Sequence, residues 1–356
     1  MIDLRTYGYD DQLATAYDGL GLDGCLPGRV VADYGAYLRV ATPDEYDCGI
    51  AGSLVHDSEK HQLPKVGDWA AVQPGYLNKA IVQAVLPRFS EVNRKAAGTG
   101  NARQVLAANV DVAFVVQALD LDFNLMRLER YNYQLIQGNI TPIFIFNKAD
   151  KAVDLDEKLD QINQLDITYV VTTAIKNKGI DQIKALIHAS KTAVFLGSSG
   201  VGKSTLVNAL LGYQRQKTAA IRESDATGRH TTSHRELFLL PSGGMIIDTP
   251  GIRELQLWGE AAYLEQSFHD IELLAQGCEY NNCSHVKEVN CAVLAAVDSG
   301  KLARTRLASY LKFKHELQTE AFIAASSSTK QKKQRTKRMR KVIEMDERMD
   351  DYSDTA

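Results

Sequence analysis

The stretch "FIFNKAD", Phe144 to Asp150, decides how this chain is read. An apolar run rich in aromatics ends in Asn-Lys-Ala-Asp, and open α/β sheets bind their ligands at the carboxyl ends of such strands. The Asp150 carboxylate can accept from the N1–H and the exocyclic amine of guanine, a pair that adenine cannot supply. Asn147 suits the N7 and O6 edge of the same base, and the stem of Lys148 can cover its ring. Ala149 completes the tetrapeptide, and "VVTTA" ends the next strand, where Thr173 and Ala174 are expected to offer backbone contact to the guanine O6.

The phosphate-binding partner of this base reader comes later in the chain. "GSSGVGKST", Gly197 to Thr205, follows the strand-like "TAVFL" and precedes the helix-like "STLVNALL". In that context Gly197, Ser198, Ser199, Gly200, Val201 and Gly202 wrap a phosphate with backbone N–H groups at a helix N-terminus. Lys203 reaches the outer phosphates, Ser204 ligates Mg²⁺, and Thr205 backs up the inner phosphate. Ordinary GTPases carry the two motifs in the opposite order.

Further downstream lie "TGRHTTSHREL" and "DTPG". Asp248 is placed to hold Mg²⁺ through water and the Gly251 N–H to sense the γ-phosphate, while Thr231 or Thr232 completes the Mg²⁺ shell. Ile252 stands where Ras-like proteins keep a water-orienting glutamine, so intrinsic hydrolysis is expected to be slow. His230 is the candidate to position water, with a partner docking it.

Texture divides the chain into an extension of uncertain structure (1–27), a small OB-type β-barrel (28–93), an α/β nucleotide domain (100–260), a helical metal-binding domain (261–325) and a charged tail (326–356). The barrel reading rests on "RVVADYGAYLRV", "KVGDWAAV" and "KAIVQAVLPR". "RKAAGTGNARQ" reads as a linker. Apolar strands such as "VDVAFVV" and "TPIFIFN" alternate with helical stretches such as "NLMRLERYNYQLIQ", which indicates a parallel sheet covered on both faces. "CEYNNCSHVKEVNC" supplies Cys278, Cys283, His285 and Cys291, three thiolates and an imidazole for one tetrahedral Zn²⁺. Cys25 and Cys48 read as ordinary thiols.

Charge is uneven. The chain carries 41 basic and 44 acidic side chains, and eight of the bases fall between Lys330 and Lys341 without an acid. Without them the balance of 33 against 44 is −11. Such a run acts over about 8 Å at physiological salt and points to a polyanion contact. No apolar run has the length of a signal peptide or a membrane span, so a cytoplasmic protein with no membrane partner is expected.

The inverted order, the barrel and the Cys₃His segment together resemble the RsgA (YjeQ) family of circularly permuted, ribosome-small-subunit-dependent GTPases. "VLPR", "NRKAAG", "LAANVD" and "DLDFNLMRLERY" are further family-like pieces. The resemblance implies GTP hydrolysis to GDP with Mg²⁺, stimulated by the 30S subunit. It also implies 16S rRNA contact through the barrel and zinc domains, a role in late subunit maturation, and action as a monomer. Two other classes stand against it: a non-catalytic RNA-binding assembly protein holding GTP as a structural ligand, and a P-loop kinase, against which NKAD argues.

Overall fold

The computed structural model describes residues 1–95, 103–120, 123–163, 165, 167–214, 235–248, 264 and 267–319. His230, Thr231, Thr232, Gly251, Ile252 and the basic tail lie outside the described residues. Contacts divide the chain into two units, 1–257 and 258–356.

The first unit opens with residues that fold locally through their aspartates. Asp3 accepts from Arg5 N–H at 2.9 Å and starts a 3₁₀ turn, Leu4–Tyr7. Asp10 accepts from Leu13 N–H at 2.9 Å and caps α1, Asp11–Asp18. The extension left undecided by sequence is therefore structured, and Ser190 Oγ donates to the Arg5 carbonyl at 2.9 Å to tie it to the nucleotide domain.

The barrel comes next as β1 (Leu26–Asp33), β2 (Leu38–Ala41), β3 (Glu45–Ile50), α2 (Gly52–Asp57), β4 (Trp69–Pro74) and β5 (Lys79–Val85). Its order is β1-β2-β3-β5-β4 with β4 returning to β1, a closed five-stranded OB arrangement. Val30, Leu38, Val40, Cys48, Ala70, Val72, Ala80 and Val82 fill it. Burial pushes the Cys48 thiol up to about 12, in keeping with an inert core group.

The segment expected as a linker is strand at both ends. β6 (Glu91–Lys95) and β7 (Arg103–Ala108) pair antiparallel, with Lys95 opposite Arg103. Buried Val92, Val105, Leu106 and Ala107 hold this hairpin to the core, which the Gly- and Ala-rich centre of the stretch concealed from sequence reasoning.

The nucleotide domain contains β8 (Val112–Ala118), α3 (Leu125–Gln137), β9 (Thr141–Asn147), α4 (Leu155–Asn163), β10 (Tyr169–Val171) and α5 (Ile180–Leu186). It continues through β11 (Thr192–Leu196), α6 (Lys203–Leu211), β12 (Arg235–Leu239) and β13 (Met245–Asp248). Sheet order is β10-β9-β8-β11-β13-β12, parallel except for β12. Alternate residues of β8 feed opposite cores: Ala113 and Val115 join one, Phe114 and Val116 the other. The chain winds outward in one direction from β8 and in the other from β11, so the two central strands flank a topological switch point.

The second unit is helical around aromatics. Phe268 meets Tyr310 and Phe313 edge-on, each with centroids 5.5 Å apart, and the Arg306 guanidinium lies 4.3 Å over its ring while pairing with Asp270 at 2.8 Å. Residues 269–275, 292–298 and 304–319 are helical. Among the described residues no helix is long and apolar enough to cross a membrane.

Candidate functional site

Leu196 ends β11 at the switch point, and the chain then turns so tightly that side chains are excluded. A Cβ on Gly197 (φ 134°) falls 2.1 Å from the Val116 carbonyl oxygen of β8, and one on Gly202 (φ 102°) falls 2.2 Å from Asn147 Nδ2. Ser199 and Gly200 form the exposed tip of the loop, while Val201 is buried behind it. α6 starts at Lys203 and is anchored by buried Leu206, Val207, Leu210 and Leu211, which leaves Ser204 and Thr205 partly exposed on its first turn. Lys203 Nζ donates to the carbonyls of Gly197 at 2.7 Å and Ser198 at 2.6 Å, so the ammonium sits over the loop. A guanidinium N–H of Arg127 donates to Ser198 Oγ from the first turn of α3.

Asn147 joins the pieces. It ends β9, is almost wholly buried, and spends its amide on protein: Nδ2 donates to the Val201 carbonyl at 2.8 Å, and Oδ1 accepts from Thr172 Oγ1 at 3.0 Å and Ala174 N–H at 3.1 Å. Nδ2 carries a second N–H. The Ala174 N–H, expected from sequence to contact the guanine O6 together with Thr173, donates to Asn147 Oδ1 in this structure, where the tight turn after β10 brings it within reach of that oxygen. Thr172 is the residue sequence reasoning missed here; the doubled Thr of "VVTTA" was its only signal.

Lys148 adopts a left-handed backbone (φ 61°) and its Nζ pairs with Asp120 Oδ2 at 2.8 Å, which fixes the stem. Asp150 lies on the following turn and is exposed there, though its side chain is only 20% accessible, with Lys176 Nζ 3.6 Å from its carboxylate. A cleft of about 270 Å³ is lined by Ala149, Asp150, Thr172, Thr173, Lys176 and Lys178, so the last two residues of the tetrapeptide share one concavity with the turn after β10. Asp248 ends β13 and stands across from Glu236 in the ladder to β12.

In the second unit Cys278, Cys283, His285 and Cys291 place their ligand atoms within 4.8 Å of one another. Zn–S bonds of about 2.3 Å in a tetrahedron require sulfurs roughly 3.8 Å apart. Cys278 Sγ and Cys291 Sγ are 3.8 Å apart, and His285 Nδ1 is 3.7 and 3.4 Å from them, so the four residues fit the ion. The loop is shaped by Glu288, whose carboxylate accepts from the backbone N–H groups of Ser284, Val286 and Lys287. Hydrogen bonds from the Ser284 hydroxyl and N–H hold that carboxyl well below the usual range. Burial lowers the His285 pKa, favouring the neutral imidazole that binds metal.

The family model described as RsgA GTPase matches residues 85–258. A small ribosomal subunit biogenesis GTPase RsgA from Opitutus terrae is 39% identical over 327 residues, covering 88% of this chain and 89% of that protein. The protein of the same name from Leptospira interrogans is 37% identical over 347 residues, 96% of each chain. Among solved structures, YjeQ from Thermotoga maritima superposes with a TM-score of 0.61 at 23% identity, over 82% of this chain and 98% of that one. YloQ, described as a circularly permuted GTPase, gives 0.59 at 24% identity, over 84% and 96%. Both share the fold.

Proposed function

This chain belongs to the RsgA GTPase family, and from that membership we propose that it hydrolyses GTP to GDP on the small ribosomal subunit during the subunit's late biogenesis, in the cytoplasm. The observation that carries the reading is the Asn147 junction. One buried amide holds the base-reading strand, the turn after β10 and the phosphate loop in a single site, as a guanine nucleotide enzyme requires.

In this reading Asp150 selects guanine, and the second N–H of Asn147 Nδ2 donates to N7. The loop from Gly197 to Gly202 cradles the phosphates, and Lys203 leaves the loop carbonyls for phosphate oxygens. Ser204 and Asp248, with Thr231 or Thr232, hold Mg²⁺, which supplies charge neutralisation at the phosphates when bound. Gly251 contacts the γ-phosphate and His230 positions water. One Zn²⁺ per chain organises the segment from Cys278 to Cys291.

Contact with 16S rRNA is supported by a barrel surface that was not visible as a run in sequence. In the β1–β2 loop Tyr34 and Tyr37 lie with ring centroids 4.9 Å apart; the Arg39 guanidinium sits 5.3 Å over Tyr34 and Lys79 Nζ 5.6 Å over Tyr37. Asp47 orders both cations, at 3.1 Å from Arg39 and 3.2 Å from Lys79. Tyr76 and Leu77 are exposed on the neighbouring β4–β5 turn. Aromatic faces beside cations suit stacked bases and phosphates, and OB barrels use these two loops for nucleic acid. The basic run from Lys330 to Lys341 adds a second polyanion contact.

The deciding experiment measures phosphate release from GTP with purified 30S, 50S and 70S particles. We expect at least tenfold acceleration by 30S alone and no competition by ATP. Equal rates with and without 30S would remove the proposal.

A further inference from the structure

The strand β1 belongs to two structures at once. Its first half closes the barrel, with Leu26 to Arg29 paired to β4 from Val72 to Trp69. Its second half leaves β4 and pairs antiparallel with β12 of the nucleotide domain, Ala32 opposite Glu236 and Asp33 opposite Arg235. Barrel and nucleotide sheets thereby merge into one sheet of eleven strands.

The change of partner is built in. A bulge between Val30 and Ala32 inserts Val31 as an extra residue relative to β2. Val31 is buried, and it joins the core that also holds Leu237 of β12 and Met245 and Ile247 of β13. Gly67 (φ 94°) lets the loop before β4 close on the same place: a Cβ there falls 2.0 Å from the Ala108 carbonyl oxygen and 3.0 Å from Ile247 Cδ1. Arg29, fully buried, donates to the Gly67 carbonyl at 3.2 Å, the Asn109 carbonyl at 3.0 Å and Thr192 Oγ1 at 2.9 Å, and also to the Tyr7 carbonyl. Thr192 opens β11, the strand that runs into the phosphate loop.

Register sets where β1 ends. Ala32, Glu236 and Asp248 stand in one row across three strands. Two strand spacings of about 4.8 Å put Ala32 roughly 10 Å from the aspartate of "DTPG". One residue further the chain passes through Asp33 into the loop of Tyr34 and Tyr37, and the RHTT stretch lies three residues upstream of Asp33's partner Arg235 in sequence. Asp33 also offsets the burial that lowers the Arg235 pKa, so the two form an opposite-charge cross-strand pair.

We propose that β1 is the coupling element of the enzyme: engagement of the barrel's β1–β2 loop by the partner is transmitted through the β1–β12 ladder to the magnesium side of the nucleotide site. The proposal rests on the reading that the chain is a GTPase stimulated by the small subunit. Asp33 Oδ1 accepts from the Gly35 N–H at 2.9 Å and the Tyr34 N–H donates to the Tyr37 carbonyl at 3.1 Å, so a shift of this loop pulls on Asp33, while β1 is fixed further back at Arg29 and at the Val31 bulge. Displacement is therefore borne by the pairs Ala32–Glu236 and Asp33–Arg235, which lie beside Asp248.

The test compares the unsubstituted chain with Asp33→Lys and with the reversed pair Asp33→Lys/Arg235→Glu. Three quantities are read: basal GTP turnover, turnover at saturating 30S, and 30S affinity by sedimentation, with thermal unfolding reporting that each variant is folded. Asp33→Lys is expected to lower 30S-stimulated turnover at least tenfold while basal turnover and 30S affinity stay within twofold, and the reversed pair is expected to recover most of the stimulation. Unchanged stimulation in a folded Asp33→Lys variant overturns the coupling, as does an affinity loss that accounts for the whole effect, because Asp33 is then only a docking residue. Absence of 30S stimulation in the unsubstituted chain is a separate result that overturns the functional reading and the coupling with it.

Discussion

Replacing Asn147 by alanine removes three hydrogen bonds from a buried position: Nδ2 to the Val201 carbonyl, and Thr172 Oγ1 and Ala174 N–H to Oδ1. A net hydrogen bond contributes about 1 kcal/mol, and a buried group left without a partner costs about 1–3 kcal/mol. The Thr172 hydroxyl can rotate toward another acceptor, whereas the Ala174 N–H and the Val201 carbonyl are fixed by the backbone. The site therefore loses about 3 kcal/mol of organisation, and at 1.4 kcal/mol per factor of ten this weakens GTP and GDP binding about 100-fold. Titration calorimetry with both nucleotides measures it. Thr172→Val removes one of the three bonds and is expected to cost about 1 kcal/mol, near fivefold in Kd. Because the junction serves base and phosphate sites alike, GTP and GDP must be weakened together. A folded Asn147→Ala protein that binds GDP within threefold of the parent would falsify the claim that this amide organises the site.

Removal of zinc by a strong chelator is expected to release one ion per chain and to make the stretch from Cys278 to Cys291 protease-sensitive, since structural zinc contributes folding energy outright; limited proteolysis with mass spectrometry checks both. Arg29→Met keeps much of the side-chain volume but leaves the carbonyls of Gly67 and Asn109 without this donor, so a stability loss of about 3 kcal/mol is expected in urea melts, with no loss of zinc. His230→Ala is expected to leave GTP affinity within twofold and to lower 30S-stimulated phosphate release at least tenfold; undiminished stimulated release sinks the water-positioning role.

Sequence made legible whatever a local run of residues encodes. The phosphate loop, the NKAD turn and the Cys₃His segment are each continuous, because a tight backbone path or a small ion's coordination shell imposes residue types at short spacing. The inversion of their order was legible for the same reason. Features that depend on pairs far apart in the chain escaped it. Tyr34, Tyr37, Arg39 and Lys79 form one surface only after β5 is laid beside β3, so the barrel shows no aromatic or basic run. Arg29 reads as an ordinary strand cation until its partners at Asn109 and Thr192 are known. Residues 94–104 read as a linker because small and polar residues dominate the stretch, while the buried residues that hold its strands lie at or beyond its edges. The same distinction explains why a permuted chain can keep one nucleotide site. Asn147 contacts Val201 across 54 positions, and such a contact depends on the packed sheet and not on the order in which the chain visits its strands. Permutation does change which strand of the sheet the chain visits last. β13 carries Asp248 at its end, and its antiparallel neighbour β12 lies against β1. The edge of the sheet nearest Asp248, the aspartate proposed to help hold magnesium, is thereby closed by the barrel, the domain proposed to meet the ribosome.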